Sequence, residues 1–205
     1  MDHETMIDTV ENDRATLVRW AGGAAVAAAV LIGITQVGDL LTLNADYDEA
    51  LVVLNAVLKL VAACLLLLGL VGLFARQAEA TGTLGLAGFL VAFLGTMLMA
   101  GDMWLEAFAV PYLTQEWPEA VAEQPTGTLL GGALASFALF AAGWVLFGVA
   151  TLRARLAPRG AAILLIVGGL GGFAFLIVPG AGLPLGAAVG WSGWWLYQSP
   201  GTARR

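Results

Sequence analysis

Long apolar runs alternate with short polar breaks along most of this chain. Behind an acidic stretch over residues 1–16, apolar runs cover about 17–41, 50–75, 82–109, 127–151, 160–178 and 183–198. A helix of about 20 apolar residues crosses a hydrocarbon layer of about 30 Å. None of the runs shows the every-second-residue alternation of a half-buried strand. The pattern predicts an all-α, polytopic integral membrane helical bundle with six transmembrane helices. The bundle spans 17–198 as one domain, between an acidic tail (1–16) and a basic tail (199–205). The first three runs are long enough to tilt or to project from the bilayer. The last two are joined by PGAGLP (179–184), a proline- and glycine-rich turn, and a re-entrant pair is the alternative there.

Composition agrees with the pattern. The chain is 60% hydrophobic and 12% charged, with a mean hydropathy of +0.86; soluble domains carry about 25% charged residues. Lys+Arg number 9 against 15 Asp+Glu, with no basic stripe, which argues against a nucleic-acid partner. Cys64 is the single cysteine and His3 the single histidine. A disulfide within the chain, a thiolate cluster and a histidine-held haem or metal are therefore not expected, and no cofactor is predicted. Asp2, Glu4, Asp8, Glu11 and Asp13 stand where a signal peptide would be basic, and the first apolar run reaches Leu41. That run reads as an uncleaved first span. The acidic tail reads as solvated; a docking handle is the alternative.

The arginines set an orientation. With a cytoplasmic N-terminus, Arg14 and Arg19, Arg76, then Arg153, Arg155 and Arg159, and finally Arg204 and Arg205 all fall inside. Lys59 lies within the second run, and no basic residue falls in an outer loop. This positive-inside pattern predicts a multi-pass cell-membrane protein with both termini cytoplasmic. The outer loops, NADYDEA and VPYLTQEWPEAVAEQPTG, are acidic. The second, with Trp117 between acidic residues, reads as an amphipathic connector or as a cover over the bundle mouth. Trp191, Trp194, Trp195 and Tyr197 read as an interfacial aromatic belt, with a ligand box as the alternative.

Two weaker patterns concern packing. GLVGLFARQAEATGTLGL (69–86) resembles GVATLRARLAPRGAAILL (148–165), suggesting two related hairpins. Gly127 and Gly131, Gly168 and Gly172, and Gly182, Gly186 and Gly190 stand four apart. Such spacing suits tight packing within one bundle, or a homodimer face on the last helix.

The candidate chemistry lies in GDMWLEAFAVPYL (101–113), where Asp102 and Glu106 stand four residues apart and share a helix face. Lys59 lies roughly 13 Å below the outer start of the second run, with Asn55 one turn above it. Gln36 and Asp39 end the first run, and Ser136 in the fourth is about as deep as Lys59. These groups fall in one outer-leaflet layer, while the inner half reads as aliphatic and glycine. A charge near the bilayer centre costs about 2.5–3.5 kcal/mol, so Lys59 needs a partner. By depth that partner is Asp102, with Asn55, Gln36 and Glu106 completing the hydrogen bonds.

Such a pair can be purely structural. Alternatively it forms an outward-open polar pocket for a small molecule, a lipid headgroup or a proton. Lys59 would then meet an anionic group, with Asp102 or Glu106 carrying a proton. Two further readings stay open. One is an intramembrane enzyme acting on a lipid or isoprenoid, with Asp102 or Glu106 as catalytic general acid, as in membrane terpene cyclases. The other is an accessory subunit of a larger membrane complex. A rhodopsin-like Schiff base on Lys59 does not fit six spans with the lysine in the second. No metal motif, nucleophile elbow or phosphate loop is present in the sequence.

The runs LLGLVGLFARQAEATGTLGLAGFLVAFLGT and WLEAFAVPYL, with the later LRARLAPRGAAILLIVGG, resemble small six-span membrane proteins of unknown function from actinobacteria and haloarchaea. The resemblance implies the six-span fold and assigns no activity or site residue.

Overall fold

The computed structural model describes residues 3–122, 126–172, 178 and 180–198. Outside the described residues lie Glu123–Pro125 of the long loop, residues 173–177 of the fifth run, Pro179, and the 199–205 tail with Arg204 and Arg205. Asp2 also lies outside them, as do the side chains of His3, Glu4, Asp8, Glu11 and Arg14. Among the described residues the chain is all-helical and has no strand, as the apolar runs predict.

The elements are α1 (His3–Leu41), α2 (Ala50–Trp104), a π-helical turn (Leu105–Ala109), the short α3 (Val110–Glu116) and α4 (Pro118–Ala122), α5 (Gly127–Ala154), α6 (Arg159–Leu170) and α7 (Leu183–Gln198). Three stretches, Ala15–Leu41, Ala50–Glu116 and Gly127–Ala154, are long and apolar enough to cross a membrane. Large apolar side chains such as Trp20, Val30, Leu68, Leu90 and Leu134 are exposed along them. Both features are compatible with a membrane location.

α2 carries 55 residues but reverses at Gly82, where φ is 56° and ψ −146°. A β-carbon disfavours that conformation, so glycine can end one helix and begin the next there. The two limbs, α2a (50–81) and α2b (83–104), lie side by side. The rings of Phe74 and Phe89 stack with centroids 4.3 Å apart. Lys59 Nζ lies 3.7 Å from Glu106 Oε1, a residue that a continuous helix would hold roughly 70 Å away.

Consecutive segments pack antiparallel. α1 lies on α2a, α2b on α5, α5 on α6 and α6 on α7, and α7 returns against α1. Small residues make these approaches close. Gly88, Gly95 and Gly143 bring the α2b and α5 backbones together; Gly143 faces Ala92 and Gly95 faces Phe140. Gly186, Gly190 and Gly193 of α7 face Ile32, Ala29 and Ala25 of α1, and Gly168 faces Leu185. The four-residue spacing on α7 therefore serves packing within the chain. Gly127 and Gly131 differ, since a β-carbon on either would meet nothing within 4 Å. Leu70, Leu73, Trp144, Phe147, Leu165 and Val189 fill the centre, each at most 1% exposed.

The two ends of the bundle differ in charge. One holds the loop 42–49 with α3 and α4, carrying Asp46, Asp48, Glu49, Glu116 and Glu119. The other holds the Gly82 reversal and the α5–α6 turn, around Arg19, Arg76, Arg153, Arg155 and Arg159. Exposed aromatic pairs mark both ends: Trp104–Phe108 and Tyr112–Trp117 at the acidic end, Trp194–Tyr197 at the basic end. Trp195 instead turns inward beneath Arg76, whose guanidinium lies 5.9 Å from its ring.

Candidate functional site

At the acidic end, the last turns of α1, the first turns of α2a and the π turn meet in one corner. Asp39 is its hub. Asp39 Oδ1 accepts from Lys59 Nζ at 2.8 Å and from Asn55 Nδ2 at 2.8 Å. Its Oδ2 accepts from Gln36 Nε2 at 3.3 Å. Asn55 Nδ2 also donates to the Thr35 carbonyl at 3.4 Å, and the Gly182 N–H donates to Gln36 Oε1 at 2.9 Å. That last bond ties the turn before α7 to the same corner. Glu106 stands on the other side of the ammonium at 3.7 Å. The Lys59, Asp39 and Glu106 side chains are 22%, 27% and 32% exposed, so the corner is partly open.

The backbone explains why Glu106 points here. Pro111 has no N–H, and its ring crowds the carbonyl four residues back. The helix answers with a π turn over Leu105–Ala109, in which the Val110 N–H donates to the Leu105 carbonyl five residues back. A π turn advances less per residue than an α turn, so residues on either side of it lose their common face.

Asp102 lies on the other side of that change. The expected Lys59–Asp102 pair is not formed, because Lys59 takes Asp39 and Glu106 instead. Asp102 faces α5, beside Ser136. The Ser136 hydroxyl donates to the Gly132 carbonyl at 3.0 Å. Asp102 Oδ2 is buried with no hydrogen-bond partner. Ser136 therefore belongs with Asp102 and not with Lys59.

The depth estimate failed for a second reason. Asn55, not Lys59, is level with Asp39. α2a thus begins further out than α1 ends, and Lys59 sits one turn lower. Its flexible stem carries the ammonium back up toward the polar layer, the usual habit of a lysine in an apolar setting.

Sequence reasoning also missed polar pairs away from this corner. Gln77 Nε2 donates to Thr151 Oγ1 at 2.8 Å, and Thr151 Oγ1 donates to the Phe147 carbonyl at 2.8 Å. Trp144 Nε1 donates to Thr96 Oγ1 at 3.1 Å. The half of the bundle nearer the arginines is therefore not purely aliphatic. One signal was present: Ser136, Trp144 and Thr151 recur at eight and seven residues, which keeps them on one face of α5.

α3 and α4 contain no fully buried residue, and Val110, Pro111, Leu113 and Thr114 of α3 are half-buried. Among the described residues no group of three or more His, Cys, Asp or Glu is placed to hold a metal ion. No protein-family model, curated protein or solved structure matches the chain.

Proposed function

We propose that this is a multi-pass cell-membrane protein of six spans, with both termini cytoplasmic, that binds or carries a small cationic ligand or a proton at its acidic corner. The arginine distribution supports the orientation, since it places the basic end inside. One observation carries the functional reading: a single ammonium, Lys59, meets two carboxylates, Asp39 and Glu106, and one turn before Glu106 a third, Asp102, keeps a buried oxygen without a hydrogen bond. Asp39 is saturated by Lys59, Asn55 and Gln36, which leaves Glu106 and Asp102 as the groups with spare capacity. Surplus negative charge in a partly buried setting favours a cation or proton over an anion. Lys59 is then the residue that positions Asp39 and Glu106, not an anion receptor. The acidic residues at the rim of the same end add a field that draws cations in.

Purified protein reconstituted in phosphatidylcholine vesicles with an entrapped pH dye tests this reading. An imposed potential is expected to drive proton or organic-cation entry that Glu106→Gln and Asp102→Asn each reduce. Equal flux through wild type and both variants, with all three folded, would reject it.

A second reading is favoured by α5. Its first nine residues, 127–135, have no buried position, and Gly131 and Gly132 face open space. A partner helix seated there would make the chain an accessory subunit of a larger complex. Co-purification of a second polypeptide in mild detergent, lost on Gly131→Leu, is the matching test.

A further inference from the structure

α1 and α7 cross closely because Ala29, Gly186 and Gly190 are small; a β-carbon on Gly190 would come within 2.9 Å of the Ala29 Cβ. The same small residues leave a shallow apolar groove on the outer surface between the two helices. It has a volume of about 320 Å³ and is lined by Val26, Ala29, Val30, Gly186, Ala187 and Trp194, among others. From Gly186 to Trp194 it runs roughly 12 Å along the helix axis.

The groove does not end blindly. Trp194, at its basic end, stacks on Tyr197 with ring centroids 6.2 Å apart. The Arg19 guanidinium lies 5.4 Å from the Tyr197 ring centroid. Arg19 is two helical turns before Val26 and so lies on the same face of α1. It is exposed, and no carboxylate among the described residues lies within ion-pair distance. An apolar channel thus leads to two amphipathic rings and then to an exposed cation with no ion-pair partner among the described residues, an order that mirrors acyl chain, glycerol region and phosphate.

We infer that this groove binds an anionic glycerophospholipid of the leaflet at the arginine-bearing end, with an acyl chain along α1 and α7 and the phosphate at Arg19. A second copy of the chain is the less suitable occupant. Two copies inserted the same way up are related by an axis along the membrane normal, so a shared groove would set Arg19 toward its own counterpart. The site rests on the membrane placement alone and is independent of the carboxylate corner.

Intact-protein mass spectrometry from neutral detergent, with added phosphatidylglycerol or phosphatidylcholine, tests the assignment. Wild type should retain phosphatidylglycerol in preference, by about fivefold for one arginine at the surface. Arg19→Gln should abolish the preference without lowering the melting temperature. Ala187→Phe fills the groove from an exposed position and should reduce retention of both lipids. Equal retention of the two lipids by wild type would overturn the inference, as would an Arg19→Gln variant that keeps the preference. A dimer mass lost on Ala187→Phe would assign the groove to a second copy and overturn it as well. If Ala187→Phe fails to fold, the Arg19→Gln comparison still decides.

Discussion

Two polar regions of the bundle obey different rules. Along the seam between hairpin α2 and α5, the polar groups are neutral and dry: Thr96, Trp144, Gln77 and Thr151 are each at most 1% exposed. Each hydrogen bond there has a protein partner at 2.8–3.1 Å. In the corner formed by α1, α2a and the π turn, the groups are charged and partly open, and negative charge is in excess. A closed neutral pair costs little once both partners are matched and holds two helices in register. Unbalanced carboxylates give no such return. The contrast sets polar residues that hold the fold against those proposed to take a ligand, and mutation can break it in order of effect.

The largest effect belongs to the seam's backbone contacts. Gly143 faces the Ala92 backbone, which cannot turn aside as a side chain can. Gly143→Leu should cost more than about 3 kcal/mol, the upper part of the overpacking range. Loss of the monodisperse peak in detergent chromatography would show it. A variant that folds normally would mean the two helices do not meet there.

Next comes Lys59→Met, which leaves Asp39 and Glu106 without their cation. Breaking a fully buried pair costs about 3–5 kcal/mol. The corner is partly exposed, so roughly half of that is expected. Asp39→Asn in the same chain should recover part of the loss, because Lys59 and Asp39 are in direct contact at 2.8 Å. Asp102→Asn should be additive with Lys59→Met. Thermal melts of the variants give both cycles, and coupling to Asp102 instead of Asp39 would invert the corner as described.

A smaller loss is expected from Gln77→Leu or Thr151→Val alone, at the low end of the roughly 1–3 kcal/mol for stranding one buried partner, because these groups are neutral. The double change should restore most of the stability and leave any ion flux untouched. A flux defect in the double variant would erase the distinction between seam and corner.

How far these regions could be read from the sequence follows from the same physics. The helical class was legible because apolar runs are long and their breaks carry turn residues: helices start at Ala50, Gly127 and Leu183, just after NADYDE, PT and PGAG. The polar break ARQAEATG likewise contains the Gly82 reversal. Charges in apolar runs must find partners, and Gln36, Asp39, Asn55, Lys59 and Glu106 do meet, whereas Asp102 and Ser136 stand apart on the α5 side. The pairing itself was not legible. Facing depends on a π turn that only a backbone trace reveals, and depth depends on α2a starting further out than α1 ends. Gly88, Gly95 and Gly143 were hidden for another reason: the first two stand seven apart and the third lies on a different helix, which among 27 glycines is less conspicuous than the fours elsewhere.

The smallest effect is the most discriminating for the accessory-subunit reading. Gly131 sits in the open stretch of α5, where an added β-carbon meets nothing within 4 Å. Glycine inside a helix is about 1 kcal/mol less favourable than alanine, so Gly131→Ala should stabilise the isolated chain slightly. Seam glycines behave oppositely, because a β-carbon at Gly95 runs into Phe140. If a partner helix normally packs on this face, the sign depends on the preparation. Gly131→Ala would still raise the melting temperature of the purified single chain but would loosen the assembled complex, where small residues let two backbones approach. Melts of the variant alone and beside any co-purified polypeptide separate the cases. A rise in both preparations leaves the face bare, and a rise in one with a fall in the other marks it as an interface.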